Sequence, residues 1–355
     1  IKFLKSIFKG GFLSNSQQSL TNAVYVIGET VILWVGTINI LNGNLTIGEL
    51  ITFNALLAYF LDPVKNLINL QPTMQTAIVA ADRLGEILDL DPEKKENEEN
   101  KIKDVSLNKE IEISNLDFRY GTRQLVLKNI NMNIKPGEKI ALVGESGSGK
   151  TTLVKLLMNF YEFEKGEIMF GDYNIKDINI GSLRDKIAYI SQDIFLFSGT
   201  IRENLMLGNE DATLDEIIEA CKLSKANEFI EKMPLRYETL LEENGANLSG
   251  GQKQRLSLAR ALAIKPAILI LDDTTSAVDM ETEKYIQDSL RNLDFPCTKI
   301  IIAQRISSTK DADMIIILDD GKITEMGTHD ELIAKKGYYY EVFKLQNDGF
   351  GKEAV

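Results

Sequence analysis

Eight residues constrain this chain more than any others: Gly144-Glu145-Ser146-Gly147-Ser148-Gly149-Lys150-Thr151. They follow a short apolar run at 140–143 and precede a helix-forming stretch, so they read as a glycine-rich turn from a strand into a helix beginning near Lys150. Glycines at this spacing let successive backbone N–H groups curl around phosphate oxygens. The helix that follows points its positive end at the same anion. A lysine there neutralises the β- and γ-phosphates of a nucleoside triphosphate, and the Thr151 hydroxyl is placed to ligate Mg²⁺. A chance glycine-rich turn lacks the strand before and the helix after.

The surrounding pattern fits an α/β arrangement. Short apolar runs recur at 140–143, 187–190, 268–271, 300–303 and 314–318, with helical patterns between several of them, which predicts a largely parallel sheet. The run at 268–271 ends in Asp272-Asp273. A carboxylate at a strand end in this class holds Mg²⁺, which assigns Asp272 that role. Asp273 then stands where a group would orient or deprotonate an attacking water.

Composition narrows the classes. The 355 residues are 44% hydrophobic and 26% charged, enough for two ordinary domains with real cores. A net charge of −12 argues against a nucleic-acid-binding surface, which is usually basic. Two cysteines, Cys221 and Cys297, argue against a disulfide framework and fit a reducing compartment.

The front of the chain differs. Residues 23–41 are apolar apart from Glu29, about the length of one membrane crossing. A second apolar run at 47–61 is short for a crossing and needs its continuation to Leu70, past Asp62-Pro63. Lysines lie before the first run and after the second, none between, which predicts that both outer ends face the cytoplasm. A pair of buried core helices in a soluble domain is the plainer alternative. Residues 71–90 predict an amphipathic helix, and 91–106 a connector that begins with the charged, solvated stretch 91–100. The first residue is Ile1 and no cleavable signal pattern follows, so the expectation is a cut through a longer protein.

A second motif, Leu248-Ser249-Gly250-Gly251-Gln252 followed by Lys253-Gln254-Arg255, resembles the signature of the ABC ATPase family. The resemblance covers about 110–345. It implies an α/β P-loop ABC ATPase domain over 107–355, with a mixed, mainly parallel sheet and a helical subdomain, preceded by an all-α transmembrane fragment over 1–90. It also implies ATP and Mg²⁺ as cofactors and a dimer in which Ser249, Gly250, Gly251 and Gln252 of one subunit close over the γ-phosphate held by the other. A serine hydroxyl, glycine N–H groups and a helix start make a second anion cradle, which is the physical sense of that pairing. On the nucleotide side the resemblance assigns the whole loop from Gly144 to Thr151, with Thr152 beside it. Tyr120 falls where the family stacks an aromatic on adenine, although a strand-core residue has the same pattern. Gln192, in Ser191-Gln192-Asp193, matches the glutamine that contacts Mg²⁺ and the attacking water. Asp279 matches a loop that communicates between two sites, and Glu243-Asn244-Gly245 resembles a segment that touches the membrane domain of exporters.

Two positions depart from the family. Asp273 stands in place of Glu, one methylene shorter and with less reach to water, and Gln304 stands in place of a histidine that contacts the γ-phosphate. The only histidine, His329, lies in an exporter-like C-terminal pattern and is expected to be a surface or packing residue. The pair of departures is similar to the degenerate half of heterodimeric ABC exporters, which favours a second half-transporter as partner over a homodimer. In contrast, Ile47–Asn54, Asn69-Leu70-Gln71 and Ala81-Asp82-Arg83-Leu84 resemble the last membrane helices of peptide and bacteriocin exporters, often homodimers. Membrane helices ahead of the ATP-binding domain resemble exporters rather than importers. The expectation is therefore a multi-pass membrane protein with a cytoplasmic ATP-binding domain, in contact with lipid, a transported substrate and no nucleic acid. Two other readings stay open: a soluble ABC-type ATPase of DNA maintenance or translation, and a non-hydrolysing ATP sensor.

Overall fold

The computed structural model describes residues 2–90, 92–93, 96–272, 278–303 and 309–350. The chain divides into two compact units, Ile1–Glu93 and Lys94–Val355.

The first unit is a helical hairpin, α1 (Lys2–Leu41) and α2 (Ile47–Leu88), joined by residues 42–46. Thr46 starts α2 with a capping box: its hydroxyl accepts the Glu49 N–H at 3.2 Å, and the Glu49 carboxylate accepts the Thr46 N–H at 2.8 Å. The hairpin closes tightly at Gly36, where a Cβ would fall 2.3 Å from a methyl of Leu50. Among the described residues α1 alone is long and apolar enough to cross a membrane, and the apolar part of α2 stops at Ile47–Leu61. The second crossing expected through Leu70 therefore lacks an uninterrupted apolar stretch. The apolar run does end at Asp62-Pro63, as expected, while the helix itself goes on. Helix α2 continues through Pro63 and Pro72, because a 42-residue helix retains its neighbouring hydrogen bonds when single donors are lost, and Thr76 Oγ1 donates to the Pro72 carbonyl at 2.9 Å. Large apolar side chains cover the outside of the hairpin, among them Phe8, Trp34 and Phe60.

The second unit holds two main sheets. One is antiparallel, built of β1 (Ile111–Phe118), β2 (Leu127–Ile134), β4 (Lys165–Phe170) and β5 (Tyr173–Asn174) in the order β2-β1-β4-β5. The other has six strands: β3 (Lys139–Val143), β6 (Ile187–Ile190), β9 (Ile268–Asp272), β10 (Thr298–Ile302), β11 (Met314–Asp319) and β12 (Lys322–Gly327). Their order is β12-β11-β3-β10-β9-β6, parallel except for the β11–β12 pair. The five apolar runs of the sequence are the five parallel strands. Every residue of β9 is buried, as expected of a strand covered on both faces. Helix α3 (Lys150–Leu157) is buried between the two sheets, with Leu153, Val154 and Leu156 fully enclosed. The other face of the six-stranded sheet packs on α8 (Gly250–Ala263) and α9 (Met280–Arg291). Helices α5 (Ile201–Met206), α6 (Leu214–Leu223) and α7 (Asn227–Ile230) form a helical subdomain with its own core around Ile201, Cys221, Tyr237 and Leu256. A small sheet pairs β7 (Gly199–Thr200) with β8 (Leu240–Leu241). At the far edge α10 (His329–Lys335) and α11 (Tyr338–Phe350) enclose Tyr339.

Within the stretch 91–106, expected as a connector, two described residues are buried in the second unit, Glu98 and Val105. Glu98 is buried; its carboxylate accepts the Ile180 N–H at 3.1 Å at the start of α4 (Ile180–Arg184) and pairs with Lys101. Ile102 bridges to Ile178, Lys186 donates to the Val105 carbonyl, and Val105 is 1% exposed. The reason is chemical: this acidic-looking segment carries one carboxylate that accepts a helix N-terminal N–H and one apolar side chain, Val105, that closes the core.

Replacing Leu153 by alanine leaves a cavity between the sheets and is expected to cost about 3 kcal/mol. Urea unfolding followed by tryptophan-independent circular dichroism reads this as a lower midpoint at unchanged slope.

Candidate nucleotide site

Strand β3 runs directly into the glycine loop, and α3 starts at Lys150 with Gly149 as its N-cap. The loop adopts backbone angles open to glycine: φ is +152° at Gly144, +87° at Gly147 and +106° at Gly149. A Cβ on Gly144 would lie 2.1 Å from the Leu318 carbonyl oxygen, and one on Gly149 would lie 2.7 Å from a methyl of Leu127. The loop is thus wedged between β11 and β2. Ser148, buried, accepts the Gly321 N–H on its carbonyl at 3.2 Å, which ties the loop to the β11–β12 turn.

Lys150 is buried and folds back over its own loop. Its Nζ donates to the carbonyls of Gly144 at 2.9 Å and Glu145 at 2.7 Å, and to Ser148 Oγ at 3.3 Å. Desolvation pushes its pKa below the usual lysine value, against a smaller raising effect from Asp272. A desolvated cation bonded only to neutral oxygens is ready to exchange them for phosphate oxygens, which carry charge.

The parallel register delivers the other groups to the same edge. Ile302 of β10 stands opposite Leu142 of β3 on one side and Asp272 of β9 on the other, so the carboxylate ends one strand away from the loop. Thr151 Oγ1 donates to Asp272 Oδ2 at 3.1 Å. Gln192 follows the end of β6, and Tyr120 follows the end of β1. A cavity of about 620 Å³ is lined by Tyr120, Gly144, Ser146, Gly147, Gly149, Lys150, Thr151, Thr152, Gln192 and Asp272, with Val126 and Ile302. Of the residues expected on the nucleotide side, the cavity lining omits Glu145 and Ser148, which serve the loop from behind through Lys150. Tyr120 is held by a 3.1 Å bond between its hydroxyl and Thr152 Oγ1 and by edge contacts with Phe118 and Tyr161.

The donor set suits Mg²⁺. A threonine hydroxyl, one carboxylate and a glutamine amide are hard oxygen ligands, too few for a closed all-protein cage, which matches an ion that shares its shell with phosphates and water. Among the described residues no cluster of three or more His, Cys, Asp or Glu competes for a metal. Thr151, Asp272 and Gln192 would hold the ion, and bound there it would neutralise the triphosphate charge.

The signature lies elsewhere. Ser249 caps α8, its hydroxyl accepting the Gln252 N–H at 3.3 Å while Gln252 Oε1 accepts the Ser249 N–H at 2.9 Å. Ser249 and Gly250 are exposed, Gly251 and Gln252 half-buried, and none of the four lines the cavity. Asp279 caps α9 through Thr282, which lowers its pKa, with the Thr282 N–H as the main cause. Asn244 and Gly245 make a left-handed turn under Leu196. His329 bonds Tyr339 through Nδ1 at 2.7 Å and packs on Phe343, away from the cavity. Asp273 and Gln304 lie outside the described residues.

Three contributors escaped the sequence. Val126 and Ile302 line the cavity although their pattern is that of strand core. Tyr189 donates its hydroxyl to Asp272 Oδ2 at 3.2 Å; its signal was the one polar tip in the run 187–190.

Residues 127–276 match the family described as ABC transporter. The chain is similar to the lactococcin-G-processing and transport ATP-binding protein LagD of Lactococcus lactis subsp. lactis, 42% identical over 96% of this chain and 48% of that protein. It is similar to the transport/processing ATP-binding protein ComA of Streptococcus pneumoniae serotype 4, 42% identical over 96% of this chain and 47% of that one. The putative multidrug export ATP-binding/permease protein YgaD of Bacillus subtilis is 38% identical over 93% of this chain and 57% of its own length. The chain therefore spans about half the length of the curated relatives it matches. A solved structure of a bacterial Atm1-family ABC exporter with ATP bound superposes with a TM-score of 0.75 at 32% identity, covering 85% of this chain and 53% of that one.

Lys150→Ala removes the only described cation lining the cavity and is expected to weaken ATP binding by about a hundredfold or more, the scale of losing charge-assisted bonds to phosphate. Fluorescent-nucleotide titration, with circular dichroism as the fold control, measures it; unchanged affinity would refute the site.

Proposed function

We propose, on the premise that residues 127–276 match the ABC transporter family, that the chain serves an exporter in which ATP binding and hydrolysis drive a substrate of the peptide class out of the cell. The observation that carries this reading is the single cavity uniting the glycine loop, Tyr120, Gln192 and Asp272. The likeness to LagD, a lactococcin-G-processing and transport protein, and to ComA, a transport/processing protein, supports peptide as the substrate class. The apolar helix α1 and the exposed apolar surface of the first unit support a membrane location, with residues 1–90 as the membrane part, 91–106 as connector and 107–355 as the ATP-binding part in the cytoplasm.

The site is incomplete in one chain, since Ser249, Gly250, Gly251 and Gln252 stand apart from the cavity. Two subunits placed head to tail would complete two sites, each signature closing on the other's γ-phosphate. Closure is then a population shift driven by ATP, and a site that only binds can still contribute to it. Within this chain Lys150 neutralises phosphate, Tyr120 stacks the base, Gln192 orients water, and Asp272 with Thr151 holds Mg²⁺. Asp273 is the nearest carboxylate in sequence for a general base, with a shorter reach than glutamate, and Gln304 cannot accept and return a proton as histidine does. On that chemistry the chain's own site is degenerate and a second half-transporter supplies the stronger one.

ATP-dependent accumulation of a bacteriocin-type peptide in inside-out vesicles, lost with Lys150→Ala, is the expected result for the exporter. For the site itself, Asp273→Glu with Gln304→His should raise turnover at least tenfold in the purified protein. Brisk native turnover with no gain would mean that Asp273 suffices and that two copies of this chain form the transporter.

A further inference from the structure

We propose that Tyr189 is a positioning residue for the Mg²⁺ ligand Asp272, a role that rests on the reading of the cavity as an Mg–ATP site. Asp272 ends β9 and is buried, yet it must present one carboxylate oxygen to a cation in a fixed direction. Both bonds recorded to it fall on the same atom: Thr151 Oγ1 at 3.1 Å and Tyr189 OH at 3.2 Å reach Oδ2. Thr151 is itself a candidate ligand, so its hydroxyl reorients when its lone pair turns to a metal. The phenol has no such competing duty. It comes from the neighbouring strand, where Tyr189 stands opposite Ile270, two residues before Asp272, and reaches diagonally along the sheet. The backbone of both strands is held by the parallel ladder, so the ring has little freedom. The contact therefore holds the Asp272 side chain in one rotamer whether or not nucleotide is present.

The geometry also links the metal ligand to Gln192. Tyr189 lies in β6 and Gln192, which lines the cavity, follows two residues after that strand ends. Outer-shell partners of this kind fix the direction of a ligating group and support its affinity for metal.

The test is Tyr189→Phe in the whole chain, purified in detergent. Phenylalanine keeps the ring in β6 and removes only the hydroxyl. Mn²⁺ serves as the probe, its binding to protein loaded with a non-hydrolysable ATP analogue followed by electron paramagnetic resonance. Nucleotide affinity in EDTA is measured in parallel, and thermal unfolding checks the fold. The expected result is a loss of about tenfold in Mn²⁺ affinity, the scale of outer-shell substitutions, with the metal-free nucleotide affinity unchanged. Unchanged Mn²⁺ affinity overturns the proposal. An equal loss of metal-free nucleotide affinity also overturns it, because the tyrosine would then act by packing. If the unaltered protein binds no nucleotide at all, the reading of the cavity fails and takes this role with it.

Discussion

A triphosphate can be gripped by a chain of net charge −12 only where backbone donors and one desolvated cation converge, and everything else in the second unit serves that convergence. The glycine loop makes it. At Gly144 the backbone passes so near the Leu318 carbonyl that no side chain fits, and at Gly149 it passes as near to Leu127. These approaches force left-handed or extended-left backbone angles, which aim the N–H groups inward and begin α3 without a side-chain cap. The uncapped donors are the proposed anion site. Burial of Ser148 and Lys150 behind the loop then sets the cation where water is scarce.

The parallel sheet does the rest by geometry. Strands β3, β10, β9 and β6 end at one edge, so residues far apart in sequence, Lys150, Ile302, Asp272 and Gln192, meet around one cavity. This is the usual consequence of parallel pairing with connections on both faces. The helical subdomain and α8 grow from the same sheet but carry the signature to a separate surface, where Ser249 and Gln252 cap each other. A capping box leaves the remaining first-turn N–H groups of α8 available to an outside anion, which fits the proposed use in a partner's site.

The connector has a comparable logic. Glu98 accepts the Ile180 N–H at the start of α4, Ile102 pairs with Ile178, and Lys186 holds Val105, so the segment leading into the domain is stitched to the stretch that feeds β6. That stretch ends at Tyr189 and Gln192.

Sequence alone determined the chemistry of the loop and the five parallel strands, because both are local codes: fixed glycine spacing in one case, short β-branched runs buried on both faces in the other. It also separated an apolar helical front from an α/β remainder. It did not disclose the antiparallel sheet β2-β1-β4-β5, whose strands alternate and carry register shifts near Asn115 and Asn129, both at positive φ, so their period is broken. It placed the end of the second apolar run at Asp62-Pro63, where that run does end, although the helix continues through it. It read 91–100 as solvated, which holds for residues 92, 93, 99 and 100, but Glu98 is buried and accepts the Ile180 N–H. Only the tertiary structure decided that Tyr189 touches Asp272 and that Ser249 does not line the cavity, because these depend on which strands become neighbours and which way a helix start faces. Pairing across more than eighty residues leaves no periodic trace in the chain, while a phosphate loop is written in eight consecutive residues.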